Sequence, residues 1–459
     1  MRPQLWRHQR AAIDFAKRTG SCLFHMGMGT GKTLAATVLA EEQRVRRLLV
    51  VAPKSVLTAW LPYLKESERG YIVLPMLRGT AKAKAKALRT TLDKCGSLPV
   101  AVVVNYETAR SDALMPELCG FLGNTRPTML VLDESHKVKA PKGKAARAMH
   151  RLGACASQTI GLTGTPMPHS PLDIWSQMRA IEPRVFGPSY YRFRNRYAVM
   201  GGYQGKQVLG FRNMPELRAR LGRYAFQAGR EVLDLPPATH NIIGCELSAR
   251  ARKVYRSLKS SLMAEIEEGT VTATNALTQL LRLQQVTSGA LPLDGDDADQ
   301  LSTIDNSKRD ALVDLFDGVD ELEPFVVFGR FRHDLDVVRE AARMCGRGVG
   351  ELSGRANELA AWQRGDFTVL AVQLQAGGVG VDMTRASYCA FLSTGFSLGD
   401  YEQALARVHR PGQDRPVHYY HLVCTDTIDE AVRDALARRR SVVEAVLEDL
   451  QAPSMTALP

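Results

Sequence analysis

Gly27-Met28-Gly29-Thr30-Gly31-Lys32-Thr33 is a glycine-rich run ending in a lysine and a hydroxyl. Ser21–Phe24 before it reads as a short strand, and LAATVLAEEQ after it is strongly helix-forming. In that setting glycines let backbone N–H groups converge on phosphate oxygens, and the helix turns its positive end toward the same charge. Gly29, Thr30 and Gly31 would form the cradle. Lys32 would reach the β- and γ-phosphates, and the Thr33 hydroxyl would hold Mg²⁺. The full phosphate-loop pattern opens on glycine, and Met26 stands in that place. A bare G-K-T would be weak; within strand, loop and helix it predicts nucleotide binding.

A second site follows the apolar run Met129–Leu132, which leads into Asp133-Glu134-Ser135-His136. Asp133 at a strand end can support Mg²⁺, and Glu134 can orient and deprotonate an attacking water. Alone, such a pair could equally be an acidic helix N-cap favoured by the helix dipole. The upstream loop shifts the reading toward catalysis. YEQALARVHRPGQ carries Gln403, Arg407, Arg410 and Gln413. Spacing of i, i+4, i+7 predicts Gln403, Arg407 and Arg410 on one helix face. Those arginines could stabilise charge developing on a γ-phosphate, or form an ordinary solvated basic helix.

The elements that must position these groups are short apolar runs separated by helix-like segments. Arg47–Ala52, Val100–Asn105, Met129–Leu132, Phe325–Phe328, Thr368–Val372 and Val417–Val423 are nearly continuously hydrophobic, as strands covered on both faces are. The alternation predicts doubly wound units, one series before Pro236-Pro237 and one after Asp305. A helical stretch, about Ser248–Ser288, separates the two. Tyr190–Tyr197 interleaves arginine with aromatics, which suits phosphate contact with stacking or plain packing. Lys82, Lys84 and Lys86 alternate with alanine and would spread around a helix.

The chain has 459 residues and a formal charge of +12, so a polyanionic partner is expected. Its hydrophobic share of 45% excludes disorder as the dominant state. The eight cysteines include no C-x-x-C pair, which predicts reduced, structural thiols and no zinc site. His418 and His421 have no neighbouring ligands. The charged N-terminus lacks a signal-peptide core and no run spans a membrane, so a cytoplasmic protein is expected, in a bacterial cytosol or an infected host cell.

Together these segments resemble the SWI/SNF-type (Snf-two) ATPases, a branch of the superfamily-two helicase-like motors. LWRHQRAAIDF resembles the Q-type opening, HMGMGTGKT motif I, and LLVVAPKSVLTAW motif Ia. VVVNYETAR is similar to motif Ib, LVLDESHKVK to motif II, and TIGLTGTPMPHSPLDIW to motif III. FVVFGRFRHDLDVV, VLAVQLQAGGVGVDMTRA and QALARVHRPGQDRPVHYYHLV resemble motifs IV, V and VI. Met26-Gly27 stands where eukaryotic members usually carry Asp-Glu, and FLSTGFSLGDYEQ replaces an aspartate and W-N-P stretch. The resemblance implies an α/β protein of two RecA-like doubly wound parallel-sheet lobes with helical protrusions. Lobe 1 would cover 1–237, with a protrusion at about 173–235; lobe 2 would cover 238–459, with one at about 247–290. No accessory module is expected, which suggests a minimal prokaryotic or viral member.

The resemblance further implies ATP with Mg²⁺ in an interlobe cleft, Lys32, Asp133, Glu134, Arg407 and Arg410 being catalytic. Gln9 would read adenine, Gly380 and Gln403 would join the nucleotide contacts, and Thr33 and Asp133 would hold the metal. DNA contacts are expected from Pro53, Lys54 and Ser55, from Asn105 and Tyr106, and from Gln375, Gly377 and Gly378. Thr163 and Thr165 would couple nucleotide to nucleic acid. The expected activity is ATP-dependent translocation on double-stranded or forked DNA by a monomer. A strand-separating or strand-annealing helicase, or an ATP-gated DNA-binding regulator, are the other readings.

Overall fold

Each of the long apolar runs becomes a strand of a parallel sheet in the computed structural model, which describes residues 4–54, 56–123, 127–168, 170–201, 207–267, 273–292, 301–375, 381–395, 397–436 and 438. One compact unit runs to Leu233 and a second spans Asp234–Arg438. Strands of the first are β1 (Cys22–Met26), β2 (Arg47–Ala52), β3 (Ile72–Pro75), β4 (Val100–Asn105), β5 (Thr128–Asp133), β6 (Gln158–Thr163), β7 (Ala198–Gly201), β8 (Gln207–Phe211) and β9 (Ala225–Ala228). Apart from β7 and β8 they form one parallel sheet, ordered β3-β4-β2-β5-β6-β1-β9. Register sets His25 beside Thr163 and Asp133 beside Leu162. The C-terminal ends of β5, β6 and β1 therefore align along one edge, the side where open parallel sheets bind ligands.

The second unit holds β10 (Ala238–Cys245), β11 (Ala290–Pro292), β12 (Leu301–Thr303), β13 (Phe325–Gly329), β14 (Val349–Leu352), β15 (Val369–Gln373), β16 (Tyr388–Phe391) and β17 (Val417–Cys424). Its sheet is ordered β10-β17-β16-β13-β15-β14 and all its pairs are parallel. Alternate residues of β13 serve opposite faces: Phe325 and Val327 join one apolar cluster, Val326 and Phe328 another. That is the pleat of a strand covered on both sides, and it explains why period-two alternation is missing from the sequence. Both units are thus α/β lobes with parallel sheets. No described helix is long and apolar enough to cross a membrane.

The insertion after β6 departs from a purely helical reading. Helices Ile174–Ile181, Tyr190–Tyr197 and Met214–Gly222 are interrupted by the antiparallel hairpin β7–β8. Val199, Val208, Leu209 and Phe211, with glycines among them, favour a pleated surface over a helix. Phe193 and Tyr197 pack with Trp175, Leu217 and Leu221, so two of the four aromatics in the aromatic–arginine segment are core. In the second unit Lys308 is buried and paired with Asp429 at 2.6 Å while donating to Leu392 O at 2.7 Å.

Packing around the first sheet leaves little slack. Gly153 lies on helix Lys144–Cys155 against helix Ile174–Ile181, where an added Cβ would fall 2.1 Å from the Ala180 carbonyl oxygen. Backbone cannot swing aside as a side chain can. Gly153→Ala is therefore expected to destabilise the first unit by about 1–3 kcal/mol. Denaturant unfolding followed by tryptophan fluorescence would read it, and an unchanged midpoint would contradict this packing.

Candidate functional site

The loop after β1 holds Gly29 and Gly31 at φ of 80° and 77°, a left-handed backbone that glycine adopts without steric cost. Lys32 opens helix Lys32–Glu42, and its Nζ donates to the carbonyls of Met26 at 2.9 Å and Gly27 at 3.0 Å. Thr30 Oγ1 donates to Gly27 O at 2.6 Å. Gln9 Nε2 and His8 Nε2 each donate to Thr30 O at 2.9 Å, and Gln9 Oε1 accepts from Trp6 N at 2.9 Å. A Cβ on Gly31 would lie 2.1 Å from Gln9 Nε2. Gln9 thus clamps the loop, and each end of its amide keeps one further hydrogen-bonding position. Thr33 follows in the first turn of the same helix, half-buried.

Asp133 and Glu134 are buried at the end of β5. Asp133 Oδ2 accepts from Trp60 Nε1 at 2.8 Å, its Oδ1 from Glu134 N at 3.0 Å, and its carbonyl from Tyr106 Oη at 2.7 Å. Burial, then the Glu134 charge, push the Asp133 carboxyl up to about 6, against the Trp60 hydrogen bond and Lys32. Burial also raises Glu134, but the adjacent His136 and the charges of Lys32 and Lys137 outweigh it and hold that carboxyl below its usual range. Lys32 is pulled down by burial, opposed by Glu134 and Asp133. One ammonium therefore faces two carboxylates.

Glu134 has φ 51°, an uncommon backbone for a non-glycine residue. Its Oε2 lies 3.2 Å from His136 Nδ1 without hydrogen-bond geometry, so this buried oxygen lacks a donor. His136 Nδ1 is 3.0 Å from Thr163 Oγ1, which accepts from Thr165 N at 3.1 Å. A continuous polar chain thus runs from Glu134 to the turn after β6. Ser135 Oγ donates to Gln177 Oε1 at 2.9 Å, and Gln177 Nε2 donates to the carbonyls of Pro166 and Asp173. Gln177 is fully buried and ties the two loops together. Sequence reasoning missed it; the available signal was an amide inside the apolar helix IWSQMRAI, since a buried amide needs partners.

Of the residues expected at DNA, those of the first unit gather at the same sheet edge but differ in exposure. Lys54 is exposed, Pro53 and Asn105 are half-buried, and Tyr106 and Thr163 are buried. Asn105 Oδ1 accepts from Thr108 N at 3.1 Å and caps the turn Tyr106–Ala109. Buried Lys84 donates to Thr108 Oγ1 at 3.3 Å. Thr165 is half-buried, and its Oγ1 is a buried atom without a hydrogen-bond partner. Ser55, Gly377, Gly378 and Gly380 lie outside the described residues, and Gln375 is exposed just beyond β15.

In the second unit Gln403 and Arg407 lie on helix Leu398–Val408. Arg410 does not share their helical face as the spacing predicted, because the helix ends at Val408 and Pro411-Gly412 follows in a turn. Proline cannot continue a helix, and Gly412 at φ 100° completes the reversal. Arg407 is 5% exposed with Nη1 lacking a partner, and burial brings its guanidinium down to about 10 against the Asp400 charge. Arg410 Nη1 donates to Val381 O at 3.2 Å, while its Nε has no partner. His409 Nε2 donates to Pro236 O at 2.7 Å, and Gln413 Nε2 donates to Ala386 O at 2.8 Å. One buried and one half-buried arginine, each with a spare N–H group, are chemically ready for an anion.

The family described as SNF2-related domain matches residues 8–289, and the helicase conserved C-terminal domain matches residues 307–412. Protein p41 of Acyrthosiphon pisum secondary endosymbiont phage 1 is 27% identical over 93% of this chain and 94% of its own length. The chromodomain-helicase-DNA-binding protein 1-like of Danio rerio is 25% identical over 94% of this chain and 42% of its own. The DNA annealing helicase and endonuclease ZRANB3 of Homo sapiens is 26% identical over 97% and 41%. The chain therefore spans less than half of these two animal relatives. A solved SWI2/SNF2 ATPase core of Sulfolobus solfataricus, in complex with dsDNA, is 21% identical over 97% of this chain and 93% of its own, at a TM-score of 0.44.

The raised Asp133 carboxyl has a consequence for stability. Between the unfolded value near ~4 and the folded value of about 6, the unfolded chain loses this proton while the folded one keeps it. Stability contributed by this group is thus present below that window and falls as pH rises through it. Asp133→Asn is expected to remove that slope, so its stability relative to wild type should grow from pH ~4 to pH ~6. Parallel denaturation curves for the two proteins, staying at a constant separation, would contradict the assignment.

Proposed function

This chain belongs to the SNF2-related family of helicase-type, ATP-dependent enzymes, and from that premise we propose that it is an ATP-driven translocase on double-stranded DNA. The observation that carries the reading is the polar chain from Glu134 through His136 to Thr163. It links the carboxylate suited to activate water with a turn on the same sheet edge as Lys54 and Asn105. A change at one end has a short, buried route to the other.

The residues present fit a magnesium nucleotide. Gly29 and Gly31 take the left-handed backbone and Gly31 has no room for a Cβ beside Gln9, Lys32 is held on loop carbonyls, and Glu134 Oε2 lacks a donor. Bound ATP with Mg²⁺ supplies the phosphoanhydride whose cleavage is the energy source. Backbone N–H groups of Gly29–Gly31 and the Lys32 ammonium bind its phosphates. Thr33 and Asp133 hold the cation, and the spare positions on Gln9 meet the adenine edge. Glu134, kept ionised by His136 and Lys32, accepts a proton from the attacking water. Gln403 and Gly380 join the nucleotide contacts, and Arg407 and Arg410 supply positive charge to the γ-phosphate as it departs.

Pro53, Lys54, Ser55, Asn105, Tyr106, Thr165, Gln375, Gly377 and Gly378 serve the DNA side. Buried Tyr106 acts through its hydrogen bond to Asp133 O, and the exposed groups act on phosphates. Lys32→Ala and Glu134→Gln are each expected to lower DNA-stimulated ATP hydrolysis by at least ~10²-fold. Wild-type protein should displace a triplex-forming strand from blunt duplex in an ATP-dependent way. Full stimulated hydrolysis by either variant would defeat the site assignment. Hydrolysis stimulated by RNA alone, or strand separation on forks without triplex displacement, would defeat duplex tracking.

A further inference from the structure

Pro183–Gly229 carries nine Lys or Arg against a single acid, Glu216, an excess of +8 in a chain whose total is +12. Most of the basic character thus belongs to the insertion after β6. Some of it is neutralised: Arg184 pairs with Glu182, and Arg196 and Arg220 pair with Glu216. Arg192, Arg194, Arg212 and Arg223 have no acidic partner among the described residues.

Arg194 and Arg212 line a concavity of about 360 Å³ together with Tyr191, Asn195, Val199 and Met200. Phe193 and Tyr197 of the same helix are buried, yet Tyr191 is 65% exposed. The Arg194 guanidinium lies 5.3 Å from the centre of the Tyr191 ring, and its Nε is buried without an acceptor. Arg212 is steadied by donating to Asn195 O. A solvated basic surface would explain the arginines alone. It does not explain an exposed aromatic backed by a guanidinium at the wall of a concavity.

We propose that this concavity takes one unstacked nucleotide of single-stranded DNA, with the base on Tyr191 and the flanking phosphates on Arg194 and Arg212. An aromatic ring accepts any base because every base has a π-face. A guanidinium offers a planar fork matched to phosphate. Bases inside a duplex are already stacked and would leave Tyr191 unused, so the site selects a free strand such as one arm of a fork. The inference rests on the proposed action on DNA, but duplex tracking and this site can fail separately.

The test uses the full chain and three labelled probes: oligothymidylate, a fork and blunt duplex. Tyr191→Ala should weaken oligothymidylate and fork binding about tenfold and leave blunt-duplex-stimulated hydrolysis at the wild-type level. Tyr191→Trp should restore binding. Replacing Arg194 and Arg212 together with glutamine should flatten the salt dependence of single-strand binding by about 1.4 in log–log slope. Wild-type binding of oligothymidylate by Tyr191→Ala overturns the proposal. An equal loss on blunt duplex also overturns it, since the patch would then be a plain phosphate contact. Hydrolysis unstimulated by duplex, with Tyr191-dependent oligothymidylate binding intact, removes the translocase reading and leaves this site standing.

Discussion

Two carboxylates buried beside one ammonium set the terms for the first unit. Asp133 and Glu134 carry more negative charge than Lys32 alone can offset, and burial makes the imbalance costly. The surroundings answer with two fixed donors on Asp133, the Trp60 indole and the Glu134 amide, and with His136 close beside Glu134. Trp60 and the Glu134–His136 segment at the end of β5 are thus held by a single electrostatic problem, and His136 extends it to Thr163 at the end of β6. The left-handed backbone at Glu134 fits this picture, as strain is tolerated where the surroundings over-determine a conformation.

The same edge gathers the loops because the sheet is parallel. Strand ends of one polarity lie side by side, and β5, β6 and β1 are neighbours although distant in sequence. Gln177 then joins the β5 and β6 loops through a buried amide, and Gln9 joins the N-terminal helix to the glycine loop. Neither residue bears the charge that chemistry demands. Both hold the groups that do.

Charge is distributed unevenly in a way the total conceals. The insertion after β6 holds most of the net excess, while at the end of β5 the Lys32 charge is outweighed by two carboxylates. The helix Tyr190–Tyr197 accordingly serves two ends at once, its Phe193 and Tyr197 building a core and its Tyr191, Arg192 and Arg196 facing water.

Strands, the strand–glycine loop–helix unit and the buried place of the acidic pair were legible in the sequence, since unbroken apolar runs require burial on both faces and Gly-x-Gly favours a left-handed turn into the helix. β1 and β5 extend slightly beyond the apolar run because parallel pairing, not hydrophobicity, ends a strand. The hairpin β7–β8 and the helix end at Val408 were not legible as such. A hairpin competes with helix through cross-strand contacts that local pattern does not encode, and i, i+4, i+7 spacing says nothing of where the helix stops. By itself the sequence determined which residue types are available and the family they belong to. Only the tertiary structure decided that Glu134 sits against His136, which in turn reaches Thr163, that Gln177 bridges two loops, and that Tyr191 faces solvent while Tyr197 does not. Those facts depend on contacts between segments far apart in the chain, which residue spacing cannot carry.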